Sequence, residues 1–364
     1  MRINTAYKFR IYPDADQRLL ITKTLGCVRF VYNKMLEEKI DYYNEHGKGI
    51  RVTPAKYKSE FEFLKEVDSL ALANAQLNLE AAYNNFFRNE SVGFPKFKSK
   101  KNDKSYTTNL VSNNIRFEGN SLVLPKMGKV RIKQHRIVPN DYKLKSVTIS
   151  RTASGNYYAS ILFEYEAYIQ PNPLDNVIGL DFSMSELYIS SEGEKPNYPR
   201  YYRRALEKLA RMQRVLSKMV MFSKNYYKQR RKIAKLHEHI ANQRRDFLHK
   251  QSRQITNAYD CVAVEDLNMR AMSQALNFGK SVADNGWGMF VSFLTYKLLE
   301  QGKRLVKVDK WFPSSKTCSC CGHIKQELSL SDRTYICDCG NILDRDINAA
   351  INIRDEAIRL LAVA

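Results

Sequence analysis

A chain of 364 residues with 59 Lys and Arg against 38 Asp and Glu carries a formal charge of +21, and 44% of its residues are hydrophobic. That is long and apolar enough for two or three packed domains, which excludes a disordered polycation. A field of this sign gathers polyanions, so nucleic acid and anionic lipid surface are the partners to consider; no apolar run approaches membrane-spanning length.

Residues 3–12 alternate as a strand does, and Pro13-Asp14-Ala15-Asp16-Gln17 reads as a turn and helix start. The first ten residues lack the apolar core of a secretory signal, which predicts a cytoplasmic location and no membrane partner. To about residue 90 helical spacing dominates. Leu19, Leu20 and Leu25 lead into Val28, Val31, Tyr32 and Leu36, and Asp68 to Phe87 forms a second amphipathic segment. A modest helical bundle is expected. Asn74, Gln76 and Asn78 on its second segment could read bases or simply face water, and no base reader is assigned.

Gly93 to Lys104 then changes character, with Lys96, Lys98, Lys100, Lys101 and Lys104 beside Phe94 and Phe97, and Gly93 and Pro95 opposing a helix. Lys96, Lys98, Lys100 and Lys101 are candidate phosphate contacts; a solvated basic linker is the plainer reading. From 105 to 170 come short β-like runs, Ser121–Leu124, Val130–Ile132, Leu144–Ser150 and Tyr157–Phe163, separated by turn residues. They predict a small antiparallel barrel that the N-terminal strand completes, with the helical bundle inserted.

Pro171-Asn172-Pro173 reads as a linker into a second half. Residues 176–193 form a buried strand, a turn and a returning strand, and 201–254 read as a helical hairpin. The hairpin's acids are Glu207, Glu238 and Asp246, against sixteen Lys and Arg. A solvated helix mixes signs, so this imbalance points to nucleic acid, with Arg230, Arg231, Arg244 and Arg245 as candidate contacts. A strand over 259–267 ends in acids, 287–301 is helical with Gly302 as its stop, and 304–309 is another strand. The cysteine cluster follows, then a helix beginning near Asp344. The fold class is multidomain α/β plus β-barrel.

Three acids sit where acids are costly: Asp181 among Val, Ile, Leu and Phe, Glu265 after Val262-Ala-Val, and Asp346 at a helix start. Acids at strand ends of an α/β sheet converge on one edge, where they can bind two Mg²⁺ or Mn²⁺ for phosphodiester chemistry. The plainer readings are a helix-start acid for Asp346 or Asp344, and a strand-ending turn for Glu265 and Asp266. Five of the seven cysteines, Cys318, Cys320, Cys321, Cys337 and Cys339, lie between residues 318 and 339. Cys318-x-x-Cys321 and Cys337-x-Cys339 offer four thiolates for one structural Zn²⁺, the second pair being one residue shorter than usual. Cys320 is a spare thiol, able to replace Cys318 or Cys321, and five surface thiols are expected. The alternative is a knuckle without metal that survives on packing. Cys27 and Cys261 read as core thiols.

Tyr7-Lys-Phe-Arg-Ile-Tyr-Pro, Gly26-Cys-Val-Arg-Phe-Val-Tyr-Asn-Lys, Phe94-Pro-Lys-Phe-Lys, Gly179-Leu-Asp-Phe-Ser, Val264-Glu-Asp-Leu-Asn-Met, Ser314-Ser-Lys-Thr-Cys-Ser-Cys-Cys-Gly and Asp344-Arg-Asp-Ile-Asn-Ala-Ala-Ile-Asn-Ile together resemble the TnpB family of transposon-encoded RNA-guided nucleases, relatives of type V CRISPR effectors. The resemblance implies a wedge-type barrel (1–14 and 93–170), a helical recognition domain (15–92), a RuvC-like RNase H-fold nuclease (171–316 and 341–364) and a zinc-binding insertion (317–340). It also implies a guide RNA from the element's own end, double-stranded DNA cut beside a short adjacent motif, a monomer in the ribonucleoprotein, and a prokaryotic cytoplasm or nucleoid. On that pattern Asp181, Glu265 and Asp346 match the catalytic acids, with Asp344 the fallback for the third. Cys318, Cys321, Cys337 and Cys339 match the zinc ligands. The competing readings are a strand-transfer transposase and a nuclease-inactive RNA-guided repressor.

Overall fold

The computed structural model describes residues 1–101, 104–274, 279–329 and 332–363, so Asn102 and Asp103 of the lysine-rich run lie outside the described residues. The chain divides into two compact units, Met1–Ala167 and Tyr168–Ala364.

In the first unit, β1 (Arg2–Tyr12) buries Phe9 and Ile11 while the alternate Arg10 reaches Asn156 at 2.6 Å. Asp14 then starts α1 (Ala15–His46) through a capping box. Its carboxylate accepts from the Gln17 amide at 2.8 Å, and the Gln17 side chain accepts from the Asp14 amide at 3.1 Å. The helix buries one stripe, Ile21, Leu25, Val28, Val31, Tyr32, Met35 and Leu36, and stops at Gly47 in the left-handed region. After the short α2 (Pro54–Tyr57) comes α3 (Ser69–Arg88), capped by Asp68, whose Ala71, Leu72, Ala75 and Leu79 join the same core.

The remaining strands are β2 (Ser105–Asn109), β3 (Arg116–Glu118), β4 (Ser121–Leu124), β5 (Gly128–Lys133), β6 (Lys143–Arg151) and β7 (Tyr157–Glu166). With β1 they pair antiparallel in the order β2-β6-β7-β1-β5-β4-β3. The expected barrel is therefore a curled half-barrel. Edges β2 and β3 do not pair among the described residues, and α1 and α3 pack along β2 instead. Covering an edge with a helix serves the purpose that closure would serve.

The second unit is a four-stranded sheet between helices. Its strands are β8 (Val177–Ser183), β9 (Leu187–Ser190), β10 (Cys261–Glu265) and β11 (Arg304–Val308), in the order β11-β10-β8-β9. β8, β10 and β11 run parallel and β9 returns antiparallel. Between β9 and β10 stands a hairpin of α4 (Tyr201–Ser217) and α5 (Lys224–Ala258). Then come α6 (Met269–Gln274), α7 (Gly279–Asn285) and α8 (Trp287–Glu300); the small ribbon β12 (Thr334–Ile336) and β13 (Ile342–Asp344) precedes α9 (Arg345–Val363).

Strand alternation assigns the two faces of this sheet. Ile178, Leu180, Val262 and Val264 pack with Leu248 and Ile255 of α5 and Phe290, Leu294 and Leu298 of α8. The opposite face carries Ala263 and Val308 against Ile353 and Ala357 of α9. Gly179 belongs to that second face. A Cβ there would sit 2.0 Å from the Ala350 carbonyl oxygen, so α9 crosses β8 where only glycine fits. Because Asp181 and Glu265 follow Gly179 and Ala263 by two residues, they emerge on the α9 face as well.

Candidate active site and metal centre

Parallel register brings the first two acids level. Leu180 pairs with Val264, so Asp181 and Glu265 are the next residues on adjacent strands, at the C-terminal edge of the sheet. The third comes from α9. Asp344 caps that helix, accepting from the amides of Asp346 at 2.9 Å and Ile347 at 3.4 Å, and its carboxylate pairs with Lys195 at 3.4 Å. Capping thus falls to Asp344, which leaves Asp346 in the first turn, half-buried and 3.8 Å from Arg345 Nε. Asp266 turns aside to Lys307 at 2.7 Å.

Two of the carboxyls act on the third. Burial pushes Asp181 well above the usual carboxylate range, and the charges of Glu265 and then Asp346 push it further, against a bond from the Phe182 backbone and the Arg345 charge. Burial also raises Glu265, although the Ser314 hydroxyl donates to it at 2.5 Å. Half-buried acids facing acids are an arrangement that divalent cations relieve. The chemistry of the donors, oxygen throughout, fits Mg²⁺ or Mn²⁺.

Among the described residues, the group whose ligand atoms all lie within 4.8 Å of one another is Cys318, Cys321, Cys337 and Cys339; the three acids do not form a group that tight. The Cys318–Cys339 and Cys321–Cys337 sulfurs are 3.7 and 3.6 Å apart. A tetrahedron with Zn–S bonds of about 2.3 Å has edges of about 3.8 Å, so the four thiols fit a structural zinc site. Each pair sits in a tight turn. The Gly322 amide donates to Cys318 O and the Gly340 amide to Cys337 O, both at 2.9 Å, and both glycines have positive φ. Cys320 lies outside the group and is exposed. The expectation of five surface thiols is corrected: Cys318 and Cys337 are buried, because Tyr335 packs against both.

Sequence reasoning missed the groups that fasten this knuckle to the acids. Asn348 of α9 donates to Thr317 O at 2.7 Å and accepts from the Ser319 amide at 3.0 Å. Asn352 donates to the Ser314 and Thr317 carbonyls, both at 2.7 Å. Ser314 in turn holds Glu265. Two asparagines four apart on an otherwise apolar helix face were the available signal. Beside the β8–β9 turn, a cavity of about 670 Å³ is lined by Glu186, Asn197, Tyr198, Arg200, Arg203 and Arg204.

The proposed phosphate contacts are not alike. Lys96, Lys100 and Lys101 are exposed, whereas Lys98 lies 4.4 Å over the Tyr32 ring, its backbone clamped by Asn33 at 2.8 and 3.0 Å. On α5, Arg230, Arg231 and Arg245 are exposed. Arg244 is half-buried, its stem where a Cβ on Gly286 would fall, so it stands apart from the others.

Three family models match the chain: "Helix-turn-helix domain" over residues 1–48, "Probable transposase" of the IS605 OrfB group over 160–276, and "Cas12f1-like, TNB domain" over 287–353. Residues 1–48 form a strand and one long helix here. A Streptomyces pristinaespiralis protein named "Putative RNA-guided DNA endonuclease" is 35% identical over 97% of this chain and 89% of its own length. The chain belongs to the TnpB family. A second TnpB-family relative, the Escherichia coli K12 protein "Putative RNA-guided DNA endonuclease InsQ", is 31% identical over 96% of this chain and 91% of its own. The fold is that of a Cas12f effector: the protein in "Cryo-EM structure of the Cas12f1-sgRNA-target DNA complex" superposes with a TM-score of 0.60 over 97% of this chain and 99% of that one, at 13% identity. No helix among the described residues is long and apolar enough to cross a membrane.

Proposed function

We propose that this TnpB-family protein is an RNA-guided endonuclease that cuts double-stranded DNA beside a short adjacent motif, using Asp181, Glu265 and Asp346 as its catalytic acids. The observation that carries the reading is that Asp181 and Glu265 end adjacent parallel strands level with one another, with Asp181 driven up by burial and then by the charges of Glu265 and Asp346. On this reading 171–316 and 341–364 are a RuvC-like nuclease, 317–340 its zinc-binding insertion, 15–92 a recognition domain, and 1–14 with 93–170 a wedge. The relatives' names support guidance by RNA and action on DNA. A guide RNA from the element's own end and a target duplex are the partners, held by a single copy of the chain.

Asp181 and Glu265 would hold divalent cations from adjacent strands and Asp346 from the first turn of α9. The chemistry that Mg²⁺ or Mn²⁺ would supply there is an activated water and neutralisation of charge on the leaving oxygen. The Ser314 hydroxyl keeps the Glu265 carboxylate turned toward the site. Arg345 balances part of the acidic charge. Cys318, Cys321, Cys337 and Cys339 would hold Zn²⁺ as a structural ion, and the knuckle they form is tied through Asn352 to the segment that carries Ser314. Exposed cations such as Lys96, Lys100, Arg230 and Arg245 bind phosphates by charge, while base pairing with the guide supplies sequence.

The test is purification from cells carrying the flanking DNA, sequencing of the bound RNA, and Mg²⁺-dependent cleavage of a matching plasmid. A single abundant RNA, with cutting abolished by Asp181→Ala and RNA retained, is the expected result; cutting that survives Asp181→Ala refutes the assignment. The "Probable transposase" description favours one second reading, DNA strand transfer. Joined donor and target ends, without any RNA requirement, would identify it. Binding of RNA and target without cutting would identify a repressor.

A further inference from the structure

The α4–α5 hairpin ends in a segment that its own core does not use. Leu209, Ile233 and Ile240 bury the contact between the arms, and Gln229 donates to Met212 O at 3.0 Å, tying the arms together just below the end. Beyond that tie, Val220, Met221 and Phe222 are 79%, 63% and 70% exposed. Three consecutive large apolar side chains held in water mark an interaction surface. They are presented by a defined turn. Phe222 has φ +65°, a sparsely populated region for an aromatic residue. The turn is held by a bond from the Ser223 amide to Val220 O at 3.2 Å and by the Ser223 hydroxyl, which caps α5 at 3.1 Å. The Phe222 ring lies 6.4 Å from that of Tyr226, and the Arg230 guanidinium sits 5.8 Å over Tyr226.

Charge selects the occupant. A second copy would bring another hairpin of the same sign against this one, which disfavours self-association. A lipid surface needs cations only near the inserted tip, whereas here they run the length of the hairpin, from Arg203 to Arg253. With 35 residues, α5 is about 50 Å long, the dimension of a polyanionic rod and not of a headgroup layer. A nucleic-acid duplex is charged along its sides and apolar at one place, the face of its last base pair.

We propose that Val220, Met221 and Phe222 form a stacking cap for the terminal base pair of a duplex that lies along the cationic hairpin. The helices grip phosphates, and the tip marks where pairing ends. The inference rests on nucleic-acid binding by the proposed function and not on cleavage.

The test uses two short RNA–DNA hybrids of one sequence, one with open ends and 2-aminopurine in the terminal pair, the other closed at both ends by hairpin loops. The wild-type protein is expected to bind the open hybrid about tenfold more tightly, the order of one aromatic–base stack, and to change 2-aminopurine fluorescence. Phe222→Ser should lose both effects and keep the salt dependence, while Phe222→Trp should keep both. Melting curves check that these exposed-site variants fold. Equal affinity for open and closed hybrids overturns the proposal, as does an end preference that survives Phe222→Ser. A Phe222→Ser defect confined to anionic vesicle binding, or to dimer formation, also overturns it by naming the other occupant. If the hybrid results stand and no plasmid is cut, the guided-nuclease reading fails alone.

Discussion

At the scale of single residues, the most consequential feature is that Asp181 is raised by burial and by the charges of Glu265 and Asp346. A carboxyl whose folded pKa exceeds its unfolded value, about 3.9 for Asp, binds more protons in the native state. Its stabilising contribution is complete below the unfolded pKa and is lost as pH rises through the folded one. Glu265, also raised, adds to the same trend. The metal-free protein should therefore lose stability as pH climbs from about 4 into the raised range, and Asp181→Asn should flatten that loss. Near pH 7 in a chelator the variant should melt higher, each kcal/mol regained being worth about 2–4 °C in a unit of this size. Mg²⁺ should narrow the gap by stabilising the wild type alone. An Asp181→Asn protein that melts no higher than wild type would show that the three acids do not press on one another.

At the scale of elements, the close crossing of α9 over β8 governs the site, because it delivers Asp346 to the edge where Asp181 emerges. Gly179→Ala forces a methyl group to within 2.0 Å of the Ala350 carbonyl. It should destabilise the protein by about 1–3 kcal/mol and displace Asp346, so urea denaturation should show a lower midpoint and cleavage should fall. An unchanged midpoint would mean that α9 moves freely on the sheet. Much of this was legible in sequence: the apolar run around Asp181, the acids ending β10 and the paired thiols were each visible as local anomalies. What stayed hidden was three-dimensional. Only register puts Asp181 level with Glu265, and only capping geometry separates Asp344 from Asp346. The asparagine ties from α9 to the knuckle span residues that sequence spacing cannot relate. The openness of the half-barrel is equally invisible in sequence, because alternation reports which face a strand buries and says nothing of whether the last strand meets the first.

At the scale of the whole molecule, a charge of +21 makes affinity for nucleic acid a function of salt. Each cation removed from a phosphate should reduce the slope of log K against log salt by about 0.9 for duplex DNA or 0.7 for a single strand. Replacing Lys96, Lys100 and Lys101 together by Ala should thus lower the slope by about 2–3 without changing which target is chosen; an unaltered slope would return this segment to a solvated linker. The chain of bonds from knuckle to acid carries a different kind of consequence. Cys321 and Cys339 are exposed, as is Cys320, next to Cys321 in sequence, while Asn352 ties the segment just before the first thiol pair to Ser314, which holds Glu265. An oxidant that converts either ligand to a sulfenic acid or a disulfide removes a donor from the knuckle and slackens the hold on Glu265. Peroxide should therefore loosen the knuckle first, and through it the seat of Glu265, while every carboxylate stays intact.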